Sequence, residues 1–280
     1  MISTKIKMLI ARIIQIIVFI FYKNTQNVSV LRKGIRWKLD LHEGIDFSIF
    51  LLGCFEKKTV KALDRLVREG DTIIDIGANI GAHTIHMAQK VSNSGKIYAL
   101  EPTDYAFNKL SQNVNNNPDL SSRVKLRQIL LVESDNNPTE EIYSSWPLIN
   151  SHDRHKVHRG VKKTIIGARK QRLDDFISFE GINKVDLIKL DVDGNELEVL
   201  AGGTELIKKF SPTFVMELGP DQYEKKENFD KVVELLISMG YKFLSLNEKI
   251  KYPSDVSLLR DRIPKNGSIN IVAKKKLKYE

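Results

Sequence analysis

Apolar and polar positions follow two regular periods in the central part of the chain. An apolar, β-branched run at 72–76 predicts a buried strand, and the glycine-rich turn 77–81 follows it. Helical spacing then leads to a second apolar run at 96–100, which ends on Glu101. This order of strand, glycine turn, helix, strand and acid is typical of one half of a doubly wound nucleotide-binding fold.

The same two periods continue through the rest of the chain. Further strand patterns lie at residues 124–132, 185–190, 212–217, 241–246 and 268–273. Helical patterns lie at residues 105–114, 173–177, 196–210 (weakened by two glycines) and 229–239. Together these patterns predict an α/β, Rossmann-like fold, in which seven mostly parallel strands form a sheet with helices on both faces and a closing strand pair.

The remaining segments divide the chain. We predict a basic apolar helix at 1–27, a hairpin and helical segment at 28–70, the main domain at 71–273 and a basic tail at 274–280. Weak alternation at 28–41 predicts the hairpin, and broken helical spacing at 46–67 predicts the helical segment. Residues 137–172 do not fit a simple helix, and their strand patterns at 141–146 and 161–166 predict a small β insertion.

Residues 8–22 are strongly apolar, but they contain Arg12 and Gln15 and are shorter than the about 20 residues of a membrane-spanning helix. The polar residues 23–26 that follow lack the small-residue cleavage site of a secretory signal. Two interpretations stay open: a helix lying in a membrane interface, and a helix docked on the protein itself or on a second subunit. The expected location is cytoplasmic, with membrane association through residues 1–27.

Composition and charge add two constraints. The balance of 42% hydrophobic and 28% charged residues is that of a globular protein, and the single cysteine, Cys54, excludes an internal disulfide. The net charge of +9 is uneven, because residues 1–40 and 150–172 each hold eight Lys/Arg against one acid, and residues 274–280 hold four against one. Such segments favour an anionic partner, either membrane lipid or an acidic acceptor, or serve only solubility.

The glycine turn and its neighbouring acids carry the first candidate site. Glycines allow a ligand to lie against bare backbone, and Glu101 can accept hydrogen bonds from two adjacent ribose hydroxyls. Gly77 and Gly81 are four residues apart with Asn79 between them, so the turn lacks the G-x-G-x-x-G of dinucleotide enzymes. Asp75 opposes a pyrophosphate but suits the ammonium and sulfonium groups of S-adenosylmethionine. The predicted ligand is therefore a nucleoside-bearing cofactor.

Three motifs of this sequence are similar to those of a known family: DIGANIG at 75–81, LEP at 100–102 and KLDVDGNELEVLAG at 189–202. They resemble the FkbM family of S-adenosylmethionine-dependent class I methyltransferases, and the likeness runs from about residue 46 to residue 273. The first motif alone indicates only a class I methyltransferase, and the third is more specific. The resemblance implies O-methylation of a hydroxyl on a sugar or glycan, a lipid or a natural product.

The cofactor-binding residues that we predict are Glu56, Asp75, Gly77, Asn79, Gly81, Glu101 and Pro102. Among these, Glu56 rests on the resemblance, which places its position beside the cofactor pocket. The sequence alone favours a solvated helix glutamate there.

Methyl transfer to a hydroxyl needs an aligned acceptor and a general base. Because ligands of open α/β sheets bind beyond the carboxyl ends of the strands, Asp191 and Glu217 should lie near the cofactor acids. The catalytic candidates are Asp191, Asp193 and His83. The ordinary alternatives are a turn at 193–195 that caps the next helix at Asn195 or Asp193, and a first-turn helix residue for His83. Asp191, Asp193 and Glu217 could also hold Mg²⁺, although their spacing does not demand it.

Other functions are weaker on the same residues. His152, His155 and His158 lack the partners of a zinc site, which favours a basic, substrate-facing loop. An NAD-type oxidoreductase would need the missing glycine pattern, and a non-catalytic membrane-associated binding protein could keep the fold without the activity. We expect no nucleic-acid acceptor, because residues 191–194 read DVDG instead of the Asn/Asp-Pro-Pro-Tyr/Phe of nucleic-acid methyltransferases.

Overall fold

The computed structural model describes residues 14, 16, 18–20, 22, 25–134, 141–144 and 161–275. The predicted histidine loop, most of the segment 1–27 and most of the basic tail lie outside these residues. The described strands are β1 Val28–Arg32, β2 Ile35–Leu39, β3 Thr72–Ile76, β4 Lys96–Leu100, β5 Val124–Arg127, β6 Ile129–Leu131, β7 Glu141–Ser144, β8 Val161–Thr164, β9 Arg169–Gln171, β10 Leu187–Leu190, β11 Thr213–Leu218, β12 Lys242–Ser245 and β13 Ile269–Lys274. The helices, labelled in the same way, are α1 Gly44–Leu52, α2 Lys57–Leu66, α3 Thr84–Lys90, α4 Asp104–Asn115, α5 Pro118–Ser121, α6 Leu173–Phe179, α7 Glu196–Ala201, α8 Thr204–Phe210, α9 Glu227–Ser238 and α10 Val256–Arg260.

Seven strands form the central sheet in the order β12-β13-β11-β10-β3-β4-β5. All neighbours are parallel except β13, which runs antiparallel to β11 and β12. The predicted fold class and closing strand pair are confirmed. Because the chain leaves β3 first toward β4 and later returns to β10, the topological switch point lies between β3 and β10, where open α/β sheets bind ligands.

Successive residues of β3 point to opposite layers, as the pleat requires. Ile74 and Ile76 belong to a core built with α6, α7, α8 and α9, whereas Ile73 belongs to a second core with α1 to α4. The β1–β2 hairpin covers the second core with Trp37 and Leu39, which are fully buried. The sheet therefore packs against a hydrophobic core on each of its two faces.

Two predicted elements are divided in the structure. The run 124–132 splits at Gln128: β5 joins the central sheet, and β6 pairs in parallel with β9. The helical pattern 196–210 breaks at Gly202 and Gly203, between α7 and α8. A side chain at 202 is excluded, because a Cβ there would lie 2.4 Å from the carbonyl oxygen of Val132. Periodicity could not predict that β6 pairs with β9 or that Gly202 lies against Val132. The predicted β insertion is confirmed by the antiparallel pair β7–β8.

The apolar N-terminal segment is helical at its described residues 14, 16 and 18–20. Phe19 packs against the second core and its ring centroid lies 4.8 Å from that of His42. One face of the segment is thus docked on the protein, as one of the two interpretations predicted. Within the described chain, no helix is long and apolar enough to cross a membrane.

Candidate functional site

The glycine turn after β3 is fixed by close backbone contacts. A Cβ on Gly77 would lie 1.9 Å from the carbonyl oxygen of Asp191, and its φ of 75° also disfavours other residues. The amides of Gly77 and Ala78 both donate to the carbonyl oxygen of Leu100 at 3.0 Å. The turn therefore bridges the ends of β4 and β10 with bare backbone.

Glu101 secures the same turn from the end of β4. Its Oε2 accepts the amide of Asn79 at 3.0 Å, and its Oε1 accepts the amide and hydroxyl of Thr103 at 3.0 and 2.5 Å. Burial raises the pKa of Glu101, although the hydrogen bonds from Thr103 and Asn79 oppose this shift. Only 3% of the residue is exposed.

Two cavities meet at this end of the sheet. The first has a mostly apolar wall, which includes Ile76, Leu100, Glu101, Pro102, Ile129, Leu130, Leu131, Ile142, Val192 and Val199. The second is more polar, and its wall includes Ile45, Phe55, Glu56, His83, Lys189, Glu217, Gln222, Asn266 and Ser268. Both are lined by Gly77, Asn79, Asp191 and Asp193. These four residues form the shared wall between the two cavities.

Asp75 lines neither cavity and is fully buried beneath the turn. Its Oδ2 accepts the hydroxyl of Thr84 at 2.6 Å, which ties β3 to the start of α3. Its Oδ1 lies 3.7 Å from Lys189 Nζ. Direct contact between Asp75 and a cofactor stays a prediction, and the contacts of Asp75 support the turn.

Lys189 is a site residue that the sequence reasoning missed. Its Nζ donates to the carbonyl oxygen of Gly77 at 2.9 Å and lies 3.5 Å from Asp191 Oδ2. Burial would lower the pKa of Lys189, but the carboxylates of Asp191, Asp75 and Glu56 raise it overall. The sequence feature that could have indicated it is a single lysine within the apolar strand pattern that becomes β10.

Glu56 and His83 are brought together in the wall of the second cavity. Nε2 of His83 lies 3.5 Å from Oε2 of Glu56, which also accepts the hydroxyl of Thr59 at 3.1 Å. Oε1 of Glu56 accepts Nδ2 of Asn270 at 3.1 Å. Burial would raise the pKa of Glu56, but His83 lowers it overall. The solvated helix glutamate suggested by sequence alone is therefore wrong.

Asp191, Asp193 and Glu217 converge across β10 and β11. One carboxylate oxygen from each lies within 4.8 Å of the others, an arrangement that could hold a cation. Gln222 Nε2 donates to Glu217 at 2.8 Å, and the Ser268 hydroxyl contacts the other oxygen. Burial and the charge of Asp191 raise the pKa of Asp193 and bring that of Glu217 to about 8. Oxygen donors of this kind fit Mg²⁺.

The loop after β10 is closed by an acid that was not predicted. Glu196 Oε1 accepts the amides of Val192 at 3.3 Å and Gly194 at 3.4 Å. Asn195 precedes α7 without a side-chain capping bond, so the predicted cap at this residue is absent. Glu196 keeps Asp191 and Asp193 at the cavity, and its position five residues after Asp191 in the third motif was the available signal.

Comparison with known proteins gives a family match. A sequence model of the methyltransferase FkbM domain matches residues 75–243. Hexuronic acid methyltransferase AglP of Haloferax volcanii is 28% identical over 156 residues, which cover 55% of this chain and 58% of that protein. The 2-O-methyltransferase NoeI of Sinorhizobium fredii is 26% identical over 186 residues, which cover 62% of this chain and 74% of that protein.

Among solved structures, a methyltransferase FkbM from Methylobacillus flagellatus superposes with a TM-score of 0.44 at 14% identity, covering 84% of this chain and 60% of that one. The chain thus spans a little under two thirds of the AglP relative and of this structural neighbour.

Proposed function

Since this chain belongs to the FkbM methyltransferase family, we propose that it transfers a methyl group from S-adenosylmethionine to a hydroxyl of a sugar or a similar polyhydroxylated acceptor. The observation that carries this proposal is the shared wall. Gly77, Asn79, Asp191 and Asp193 border both an apolar cavity and a polar one. Because both cavities reach these four residues, a ligand in one cavity and a ligand in the other would lie next to each other at the glycine turn.

The first cavity fits the adenosine part of the cofactor. Its aliphatic walls suit a base, and Glu101 offers a carboxylate for ribose hydroxyls beside the bare backbone of Gly77. When bound, S-adenosylmethionine supplies an already activated methyl group. The enzyme's own residues then have to orient the acceptor and remove its proton.

The second cavity fits the acceptor. His83 is a candidate base because Glu56, 3.5 Å away, would orient its ring and stabilise the imidazolium formed by proton uptake. Asp191 and Asp193 are the other candidates, as predicted. Among the described lining residues, Glu56, Asp191, Asp193 and Glu217 outnumber Lys189, which favours an uncharged hydroxyl-rich acceptor over the predicted anionic one.

A Mg²⁺ ion held by Asp191, Asp193 and Glu217 is a second arrangement for the same site. It would bind hydroxyl oxygens of the acceptor and lower their pKa. Chelation tests it: EDTA should abolish turnover if the ion is required, and added Mg²⁺ should restore it. Unchanged turnover in EDTA would contradict a metal requirement.

Cofactor binding is the first test of the proposed function. S-adenosylhomocysteine at about 100 times its Kd should stabilise the folded chain by about 2.7 kcal/mol, measured as a higher melting temperature. NADH at the same concentration is the matched control and should cause no shift. An NADH shift without one from S-adenosylhomocysteine would reinstate an oxidoreductase, and no shift with either would contradict the cofactor assignment.

The second test is transfer of a labelled methyl group from S-adenosylmethionine to paired glycosides. A glucoside and the matching glucuronide differ only in the acceptor's charge. We expect the uncharged sugar to be the better acceptor. Preference for the glucuronide would contradict the uncharged acceptor, and cofactor binding with no methylation across a glycan and lipid panel would favour a non-catalytic binding protein.

The names of two relatives support a sugar acceptor in one case and transfer to oxygen in the other. One is a hexuronic acid methyltransferase and the other a 2-O-methyltransferase. The NAD-type alternative is not favoured by a chain that belongs to a methyltransferase family.

A further inference from the structure

Large apolar side chains are exposed on three elements at the N-terminal end of the described chain. Ile16 and Ile20 are 64% and 75% exposed, and Leu31 and Leu52 are 62% and 69% exposed. Leu51, beside Leu52, is 38% exposed. These five residues, from the N-terminal helical segment, β1 and the end of α1, are called the N-terminal apolar surface below. Contiguous exposed apolar groups of this kind mark sites of interaction.

Contacts join the three elements that carry these exposed residues. The ring of Tyr22 packs edge-on against Phe50 of α1, with centroids 5.3 Å apart. Arg32 Nε donates to the carbonyl oxygen of Phe50 at 2.9 Å, and its guanidinium lies 5.4 Å from the centre of that ring. A Cβ on Gly53 would lie 3.5 Å from Lys33 Cγ, so the stem of Lys33 runs beside the end of α1.

The described residues of the helical segment are apolar both toward the protein and toward the solvent. Ile14, Val18 and Phe19 pack against the second core, whereas Ile16 and Ile20 face outward. A helix docked on a water-soluble surface normally presents polar residues to the solvent. The outward isoleucines at spacing i, i+4 therefore need a partner other than the protein's own core.

Charge favours one kind of partner. Arg32 and Lys33 lie beside the end of α1, and the sequence of residues 1–40 holds eight Lys/Arg against one acid. Apolar side chains flanked by basic residues bind the interface of a bilayer, with each Lys/Arg near an anionic leaflet contributing about a fivefold gain in affinity. We propose that the N-terminal apolar surface docks this protein on an anionic lipid bilayer.

This docking would place the second cavity close to the membrane. The helix α1 connects the two sites, since Ile45 near its start lines the cavity and Phe55, three residues after Leu52, lines it too. If the proposed function holds, the second cavity could then take up acceptors that stay attached to the bilayer. The lipid-binding proposal itself does not depend on methyl transfer.

Cosedimentation of the full chain with lipid vesicles tests the proposal. The parent protein should bind vesicles of phosphatidylcholine with phosphatidylglycerol, bind pure phosphatidylcholine far more weakly, and be released by high salt. Ile16→Glu/Ile20→Glu should weaken binding to the anionic vesicles at least about tenfold, because two charges then face the acyl chains. Leu31→Glu/Leu52→Glu should weaken it similarly, which tests the surface without altering the helical segment.

The matched control is Ile250→Glu/Leu258→Glu. These residues are 58% and 57% exposed, outside the N-terminal apolar surface, and the variant should bind like the parent. All variants should keep the parent's melting temperature within a few degrees and its S-adenosylhomocysteine shift, so loss of lipid binding is separated from misfolding and from failure of the proposed function.

Three results would overturn the proposal. The parent could fail to bind anionic vesicles, or the surface variants could bind as tightly as the parent. In the third result, light scattering shows that the parent is a dimer and that Ile16→Glu/Ile20→Glu is a monomer, while this variant still binds anionic vesicles. That result would assign the surface to a second copy of the chain.

Discussion

At the residue scale, Glu101 holds the glycine turn through its hydrogen bonds with Asn79 and Thr103, and we propose that it also binds the cofactor. Glu101→Ala should weaken S-adenosylhomocysteine binding roughly tenfold to a hundredfold, since a lost hydrogen bond to a charged group costs about 1.5–3 kcal/mol. It should also lower the melting temperature, because the amides of Asn79 and Thr103 lose their acceptor inside a buried site. Calorimetric titration and a thermal melt of the same sample measure the two effects.

Asp193→Asn provides the contrast for that experiment. It should leave S-adenosylhomocysteine affinity nearly unchanged while strongly reducing turnover. Equal weakening of cofactor binding in both variants would move Asp193 into the cofactor site. Unchanged binding in Glu101→Ala would remove Glu101 from it.

Lys189 is the buried cation that lies between the carboxyl groups of Asp75 and Asp191. Lys189→Met should lower the free energy of unfolding by about 3–5 kcal/mol, because the carboxyl groups of Asp75 and Asp191 would lose their buried cationic partner. Urea unfolding measures this loss. Lys184→Met is the control: Lys184 pairs with Asp186 but is 56% exposed, so its loss should cost at most about 1 kcal/mol. Equal effects would show that Lys189 is not an essential countercharge.

The turn after β3 carries the prediction at the scale of elements. Gly77→Ala should destabilise the protein by at least about 4 kcal/mol, since the added Cβ collides with the Asp191 backbone and forces β3 and β10 apart. Gly181→Ala controls for positive φ alone: its φ is 64°, and nothing lies within 4 Å of the added Cβ. It should cost only about 1–2 kcal/mol. Similar losses in the two variants would contradict the close-approach argument.

At the scale of the whole molecule, His86 makes stability depend on pH. Burial, with the charges of His83 and Lys33, lowers the pKa of His86 to about 4. In the unfolded chain His86 therefore binds a proton below about pH 6.5, whereas in the folded chain it binds one only below about pH 4. This group alone should cost about 3 kcal/mol of stability as pH falls from 7 to 4.

The measurement compares the parent with His86→Gln in urea at pH 7 and pH 4.5. Buried acids whose pKa is raised, such as Glu101, act in the opposite direction, but they are common to both proteins and cancel in the difference. The parent should lose more stability than the variant on acidification. Parallel losses would show that His86 is not buried in its neutral form.

The sequence by itself determined the fold class and the edge of the sheet at which three acids lie. Strand and helix periods are local properties, so the elements around 72–76, 96–100 and 185–190 could be predicted without their partners. Parallel topology then requires strand ends to share one edge, which brought Glu101, Asp191 and Glu217 to the same side. The glycine turn was predictable because positive φ and bare backbone leave a direct trace in the sequence.

Tertiary structure alone decided which groups meet. The run 124–132 became two strands because its halves found different partner strands, β4 and β9. The pairing of Glu56 with His83, and the place of Lys189 between Asp75 and Asp191, join residues far apart in the chain. Such contacts depend on packing between elements, whereas periodicity records only which face of each element is buried.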